Sequence, residues 1–118
     1  MPPNVLILSL DRDEDNNNIK LDIKEKIDIS NYVIKKDSSN MIYELNGIIS
    51  NLEQNSLSPE YIASCLNPID NNWYRFEDAI VSEKINNIQK DVIEFEIPSI
   101  LFYKKQNYNN NIFNNIQI

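Results

Sequence analysis

Apolar residues gather in short runs along this chain, and most of those runs predict strands. Val5 to Leu10 is rich in branched residues and too short for a helix, which predicts a buried strand. Ile27-Asp28-Ile29 alternates apolar and charged, as an edge strand does. Met41 to Ser50 is again β-forming and holds Gly47, the chain's one glycine, where a bulge or a close backbone approach is expected. Glu60–Leu66, Trp73–Phe76 and Ser99–Tyr103 read as three more strands. Pro68 to Asn72 supplies the turn residues that join the first two of these as a hairpin. Ser82 is placed to cap a short helix over Glu83 to Lys90, with Ile85 and Ile88 on one face.

Polar stretches punctuate these elements. Asp11–Asn18, Lys35–Asn40 and Asn51–Ser58 read as loops. Residues 106–118 hold six asparagines and form an Asn-rich tail expected to be disordered. No internal repeat is present. The pattern predicts an α+β fold, a mainly antiparallel sheet with one short helix, over residues 1–105.

Composition narrows the function classes. The 118 residues make one domain with a single modest core. A net charge of −7 argues against nucleic acid, because phosphate binding needs clustered Lys and Arg. No apolar run is long enough for a membrane span, and no secretory leader is evident. The lone cysteine makes no internal disulfide, which fits a reducing compartment, cytoplasmic or nuclear. Neither a Cys-x-x-Cys pair nor a histidine is present, so no metal site and no cofactor are expected.

The middle of the chain carries a more specific signal. Tyr43-Glu44-Leu45-x-Gly47-Ile48-Ile49 is followed by Pro59-Glu60-Tyr61, then by Asn72-Trp73-Tyr74-Arg75-Phe76-Glu77-Asp78 and Val81. That order and spacing resembles the C-terminal box of the ubiquitin-specific proteases, the ubiquitin carboxyl-terminal hydrolase family. There Gly-His-Tyr leads into Lys-Trp-Tyr-x-Phe-Asp-Asp-x-x-Val. Pro3 to Arg12, Ile19 to Ile29 and Ser99 to Tyr103 are similar to the segments that flank this box in the family. The likeness runs through nearly the whole chain as far as Lys105, in the family's order.

The resemblance implies the palm sheet of a papain-like cysteine protease fold, with the helical thumb and the fingers absent. It places Glu60 at the position of the general base, Glu77 at that of the orienting acid, and Asp78 as the second acid of the pair. It also implies that Pro59, Tyr61 and Trp73 border the channel for the ubiquitin tail. Relatives have glycines before the base; Leu57-Ser58-Pro59 stand here, each with a Cβ, so the channel is expected to be narrowed.

The chemistry is expected to fail at Glu60. Thiol proteolysis needs a cation beside the thiolate and an acid for the leaving amine, and a histidine titrating near neutrality supplies both. A carboxylate beside a thiol raises the thiol pKa instead. Glu77 has no imidazole left to orient, and Asp78 has the blander use of bonding a turn backbone. Glu60 and Glu77 serving a different enzyme as an acid/base pair is the weaker reading, since two carboxylates alone are common. Cys65 lies five residues from Glu60 on one predicted strand, hence on the opposite face, and reads as a small buried core thiol. Spacing alone makes Tyr61, Trp73 and Tyr74 core aromatics.

The expected function is a degenerate, catalytically inactive domain that binds ubiquitin or a ubiquitinated protein. The alternatives are a C-terminal part of a larger deubiquitinating thiol peptidase, motivated by Met1 opening directly on a strand, and an unrelated structural interaction domain. A sheet without its thumb leaves apolar surface uncovered, so self-association or a covering partner subunit is also expected.

Overall fold

A computed structural model describes residues 3–10, 22–33, 41–51, 61–77 and 80–106, without the side chains of residues 80–82. Its strands are β1 (Val5–Ser9), β2 (Lys26–Asp28), β3 (Ile42–Asn51), β4 (Tyr61–Asn67), β5 (Asn72–Glu77), β6 (Ile80–Ile85) and β7 (Ile97–Lys105). They form one sheet in the order β1-β7-β3-β4-β5-β6, every pair antiparallel, with the short β2 also lying on β3. A single helical turn, Gln89–Ile93, and a 3-10 turn, Ser30–Tyr32, complete it. The α+β expectation holds at this level. The segments 11–18, 35–40 and 52–58 read as loops fall outside the described residues, as does the tail beyond Gln106.

One face of the sheet carries the core. Tyr43, Leu45, Ile48, Trp73, Leu101 and Tyr103 point into it and meet Ile85, Ile88, Val92 and Ile93 from the β6 end and the helical turn. Ile23 closes it from the segment before β2. Two buried phenols tie distant backbone to the sheet: Tyr103 Oη donates to the Lys24 carbonyl at 2.7 Å, and Tyr43 Oη to the Pro3 carbonyl. Burial raises both tyrosines above the ordinary phenol pKa.

Gly47 does both things its place in a strand suggests. The β3–β7 register slips between Leu45 and Gly47, so the buried positions change from Tyr43 and Leu45 to Ile48 and Ser50. A Cβ on Gly47 would lie 3.3 Å from Cβ and Cδ2 of Phe102, the ring that crosses it from β7. The β4–β5 hairpin turns at 68–71 with Asn71 at φ 59°, a left-handed conformation that Asn tolerates. Asn67 and Asp70 side chains accept from the Ile69 and Asn72 amides at 2.9 and 3.0 Å.

Two sequence expectations are corrected here. The helix over Glu83–Lys90 is displaced: Glu83 and Ile85 belong to β6, opposite Arg75 and Trp73, and the helical turn starts after Asn86-Asn87. Pairing with Trp73 buries Ile85, and Asn87 takes the capping role given to Ser82. Its side-chain oxygen accepts from Lys90 N–H at 3.1 Å, while its own N–H donates to Asp91 at 3.2 Å. The strand Val5–Ser9 is present but not buried, because it pairs only with β7 and lies at the sheet edge with Val5 and Ile7 exposed.

Candidate functional site

Of the positions singled out by sequence, Tyr61 and Glu77 lie at the open end of the β4–β5 hairpin and Trp73 lies near its turn. Tyr61 opens β4, Glu77 ends β5, and the last registered pair between them is Ala63 with Phe76. Glu77 is exposed and pairs with Ile80 of β6. Glu60, Pro59 and Asp78 lie outside the described residues, as do Leu57 and Ser58.

The aromatic group does not act as one cluster. Trp73 is buried on the core face, between Leu66 and Ile85 on the neighbouring strands. Tyr61 is 62% exposed, so the core reading fails for it. Strand alternation puts Tyr61 on the outer face with Ala63 and Cys65, while Ile62 and Ser64 face the core. Tyr74, also outward, donates its hydroxyl to Asp70 in the hairpin turn. That bond holds the Asp70 carboxyl below its ordinary value and pushes the Tyr74 phenol up.

Cys65 is also corrected. It is exposed on the outer face, across from Tyr74 and Gly47, and is not a core thiol. Its partial burial raises the thiol pKa, the opposite of what a nucleophile at neutral pH needs.

The best-defined polar cluster was not anticipated from sequence. Arg75 Nη2 pairs with Glu96 Oε2 and reaches the Asp91 carbonyl at 3.3 Å; Ser50 Oγ donates to Glu96 Oε1. The Glu96 side chain is fully buried and that of Arg75 is 24% exposed. Ser64, opposite Arg75 on β4, is buried with its hydroxyl unpartnered, and Arg75 Nε is likewise buried and unpartnered. The cluster joins β3, β5, the helical turn and the lead into β7 two residues before Glu77 on the same strand. Its one visible sign in the sequence is Glu96, an acid set directly between Phe95 and Ile97.

An open cavity of about 330 Å³ lies beside this cluster, lined by Arg75, Glu83, Lys84, Lys90, Asp91 and Phe95 among others. Lys84 and Lys90 are matched in number by Glu83 and Asp91, and Arg75 is paired with Glu96, so it has no strong charge of either sign. Among the described residues no cluster of three His, Cys, Asp or Glu could hold a metal ion, and no helix is long and apolar enough to cross a membrane.

Comparison with known proteins agrees with the family resemblance of the sequence. The family model for ubiquitin carboxyl-terminal hydrolase matches residues 1–103. The chain belongs to the ubiquitin carboxyl-terminal hydrolase family, which sets aside the reading as an unrelated interaction domain. It is also similar to the catalytic subunit pan2 of the PAN2-PAN3 deadenylation complex of Schizosaccharomyces pombe. That match is 34% identical and covers 60% of this chain. The chain spans about 7% of that relative's length.

Proposed function

We propose that this segment is a palm-type part of a ubiquitin carboxyl-terminal hydrolase domain that has lost peptidase chemistry and is retained to bind protein, with ubiquitin the first ligand to examine. The observation that carries the reading is the absence of histidine from all 118 residues of a chain matched by the family over residues 1–103. Glu60 and Glu77 stand where the family keeps base and orienting acid. Two carboxylates give no cation to stabilise a thiolate. The raised thiol of Cys65 is no substitute nucleophile.

A relative named for deadenylation, not for removal of ubiquitin, supports a domain of this type kept for a purpose other than peptide hydrolysis. A single thiol and an acidic surface suit a reducing compartment, cytoplasm or nucleus, and a basic protein partner. The test has two arms. An electrophilic ubiquitin probe should leave the chain unlabelled, and labelled ubiquitin titrated with the chain should shift resonances in one contiguous patch. Labelling of the chain by the probe refutes inactivity; no shift at millimolar concentration refutes ubiquitin as the ligand.

A second reading is a part of a larger deubiquitinating thiol peptidase. The small share of the relative's length that the chain spans favours it. It requires a histidine and a reactive cysteine outside these residues, and it predicts probe labelling of the longer polypeptide but not of this segment alone.

A further inference from the structure

The outer face of the sheet carries two rows, uncharged across five strands, that nothing among the described residues covers. Register places Ser9, Ile100, Ile49, Ala63 and Phe76 side by side. The next row is Ile7, Phe102, Gly47, Cys65 and Tyr74, which meets Lys84 only at the sixth strand, β6. Ile7 is 60% exposed and Phe76 46%, Cys65 is exposed, and Tyr61 extends the patch beyond Ala63 along β4. Charge returns one row further on, with Lys104, Glu44 and Lys26 across β7, β3 and β2.

We propose that this face is the interface of a homodimer in which two copies of the chain stack sheet on sheet. Three features favour a second copy. First, the middle of the face is level: Gly47 has no side chain, and the Phe102 ring crosses it from the next strand. A level face suits aligned sheet packing at about 10 Å separation, where side chains of both sheets interleave. Second, both rows lack charge across these five strands, so a two-fold operation brings no like charges together, while the Lys104–Glu44–Lys26 row falls outside the contact. Third, the size fits a weak dimer. Five strands span about 19 Å and the patch runs about 13 Å along them, a footprint of about 250 Å² from which protruding side chains such as Ile7 and Phe76 expose an accessible surface on the order of 500 Å² per copy. Two such faces bury about 1,000 Å², at the threshold of a specific interface, so the dimer forms at micromolar concentration or above.

The net charge of −7 per copy opposes association and is screened by salt. The dimer therefore strengthens as ionic strength rises, unlike one held by ion pairs.

Sedimentation of the full chain from about 5 to about 500 µM tests this, a range bracketing the expected dissociation constant. The expected result is a monomer–dimer equilibrium that shifts toward dimer with added salt. Ile7→Lys combined with Phe76→Lys should leave the circular dichroism spectrum unchanged and weaken association at least tenfold. Alkylation of Cys65 in the unaltered chain gives a second readout, slowing as concentration rises because the thiol enters the contact. A monomer throughout the range, association that salt weakens, or Cys65 reactivity independent of concentration while dimers form would each overturn the proposal.

Discussion

Replacing Arg75 by methionine should destabilise this domain more than any other substitution of a partly exposed residue in the hairpin. Methionine keeps most of the aliphatic stem and removes the guanidinium that faces Glu96. The Glu96 side chain is fully buried, so its carboxylate would keep only the Ser50 hydroxyl as a partner. Breaking one half of a buried pair costs about 3–5 kcal/mol, because an uncompensated charge remains out of water. Arg75 is 24% exposed, which lets some water reach the space it leaves and lowers the expectation to about 2–3 kcal/mol. For a domain of this size that is a fall in melting temperature of roughly 10–20 °C. Glu96→Gln should cost less, because it leaves a cation with access to solvent and keeps a partner for Ser50. The double variant should recover much of the loss of Arg75→Met, since no buried charge is then left unpaired. Urea unfolding followed by circular dichroism measures all three. If Arg75→Met costs under about 0.5 kcal/mol, or if the double variant is no better than the single, the pair does not support the fold as argued.

Other consequences are as specific. Gly47→Ala should lose about 1 kcal/mol in the same assay, because the added methyl meets Cβ and Cδ2 of Phe102 at 3.3 Å and the ring must shift by a few tenths of an ångström. Tyr43 and Tyr103 have raised phenol pKa values from burial, so the folded state holds their protons longer than the unfolded chain does. Stability should therefore be fully present below the ordinary tyrosine value of about 10 and fall as pH rises above it, and Tyr103→Phe should flatten that fall in thermal melts between pH 8 and 11 (roughly two units about the free phenol value). Cys65, exposed but with its thiol pushed up, should react with iodoacetamide at pH 8 more slowly than free cysteine near its pKa of about 8.5. An equal or faster rate would contradict the raised value.

Much of the sheet was legible in the chain because strands announce themselves locally. Branched and aromatic runs bounded by Asn, Asp and Pro located β1, β3, β4, β5 and β7 to within a few residues, and the lone glycine of β3 marked its bulge. The hairpin from Tyr61 to Glu77 was legible too, since its spacing is a property of one turn and its two strands. What sequence misplaced was set by partners distant in the chain. Glu83–Ile85 has a helical pattern on its own and becomes a strand because Trp73 and Arg75 lie opposite. Val5–Ser9 reads as buried until its place at the edge of the sheet is known. Cys65 alternates correctly along β4, but which parity meets the core depends on what packs against each face.

Residue identity by itself determined that this segment has no imidazole, the one side chain whose unperturbed pKa lies near neutrality. Tertiary structure alone decided where charge is buried and where apolar surface is left open. Arg75 and Glu96 are 21 positions apart and become a pair only when β5 and the lead into β7 meet under the same helical turn. Ile7, Phe102, Gly47 and Cys65 form one row only because antiparallel register brings four separate strands together, and no local propensity encodes that alignment.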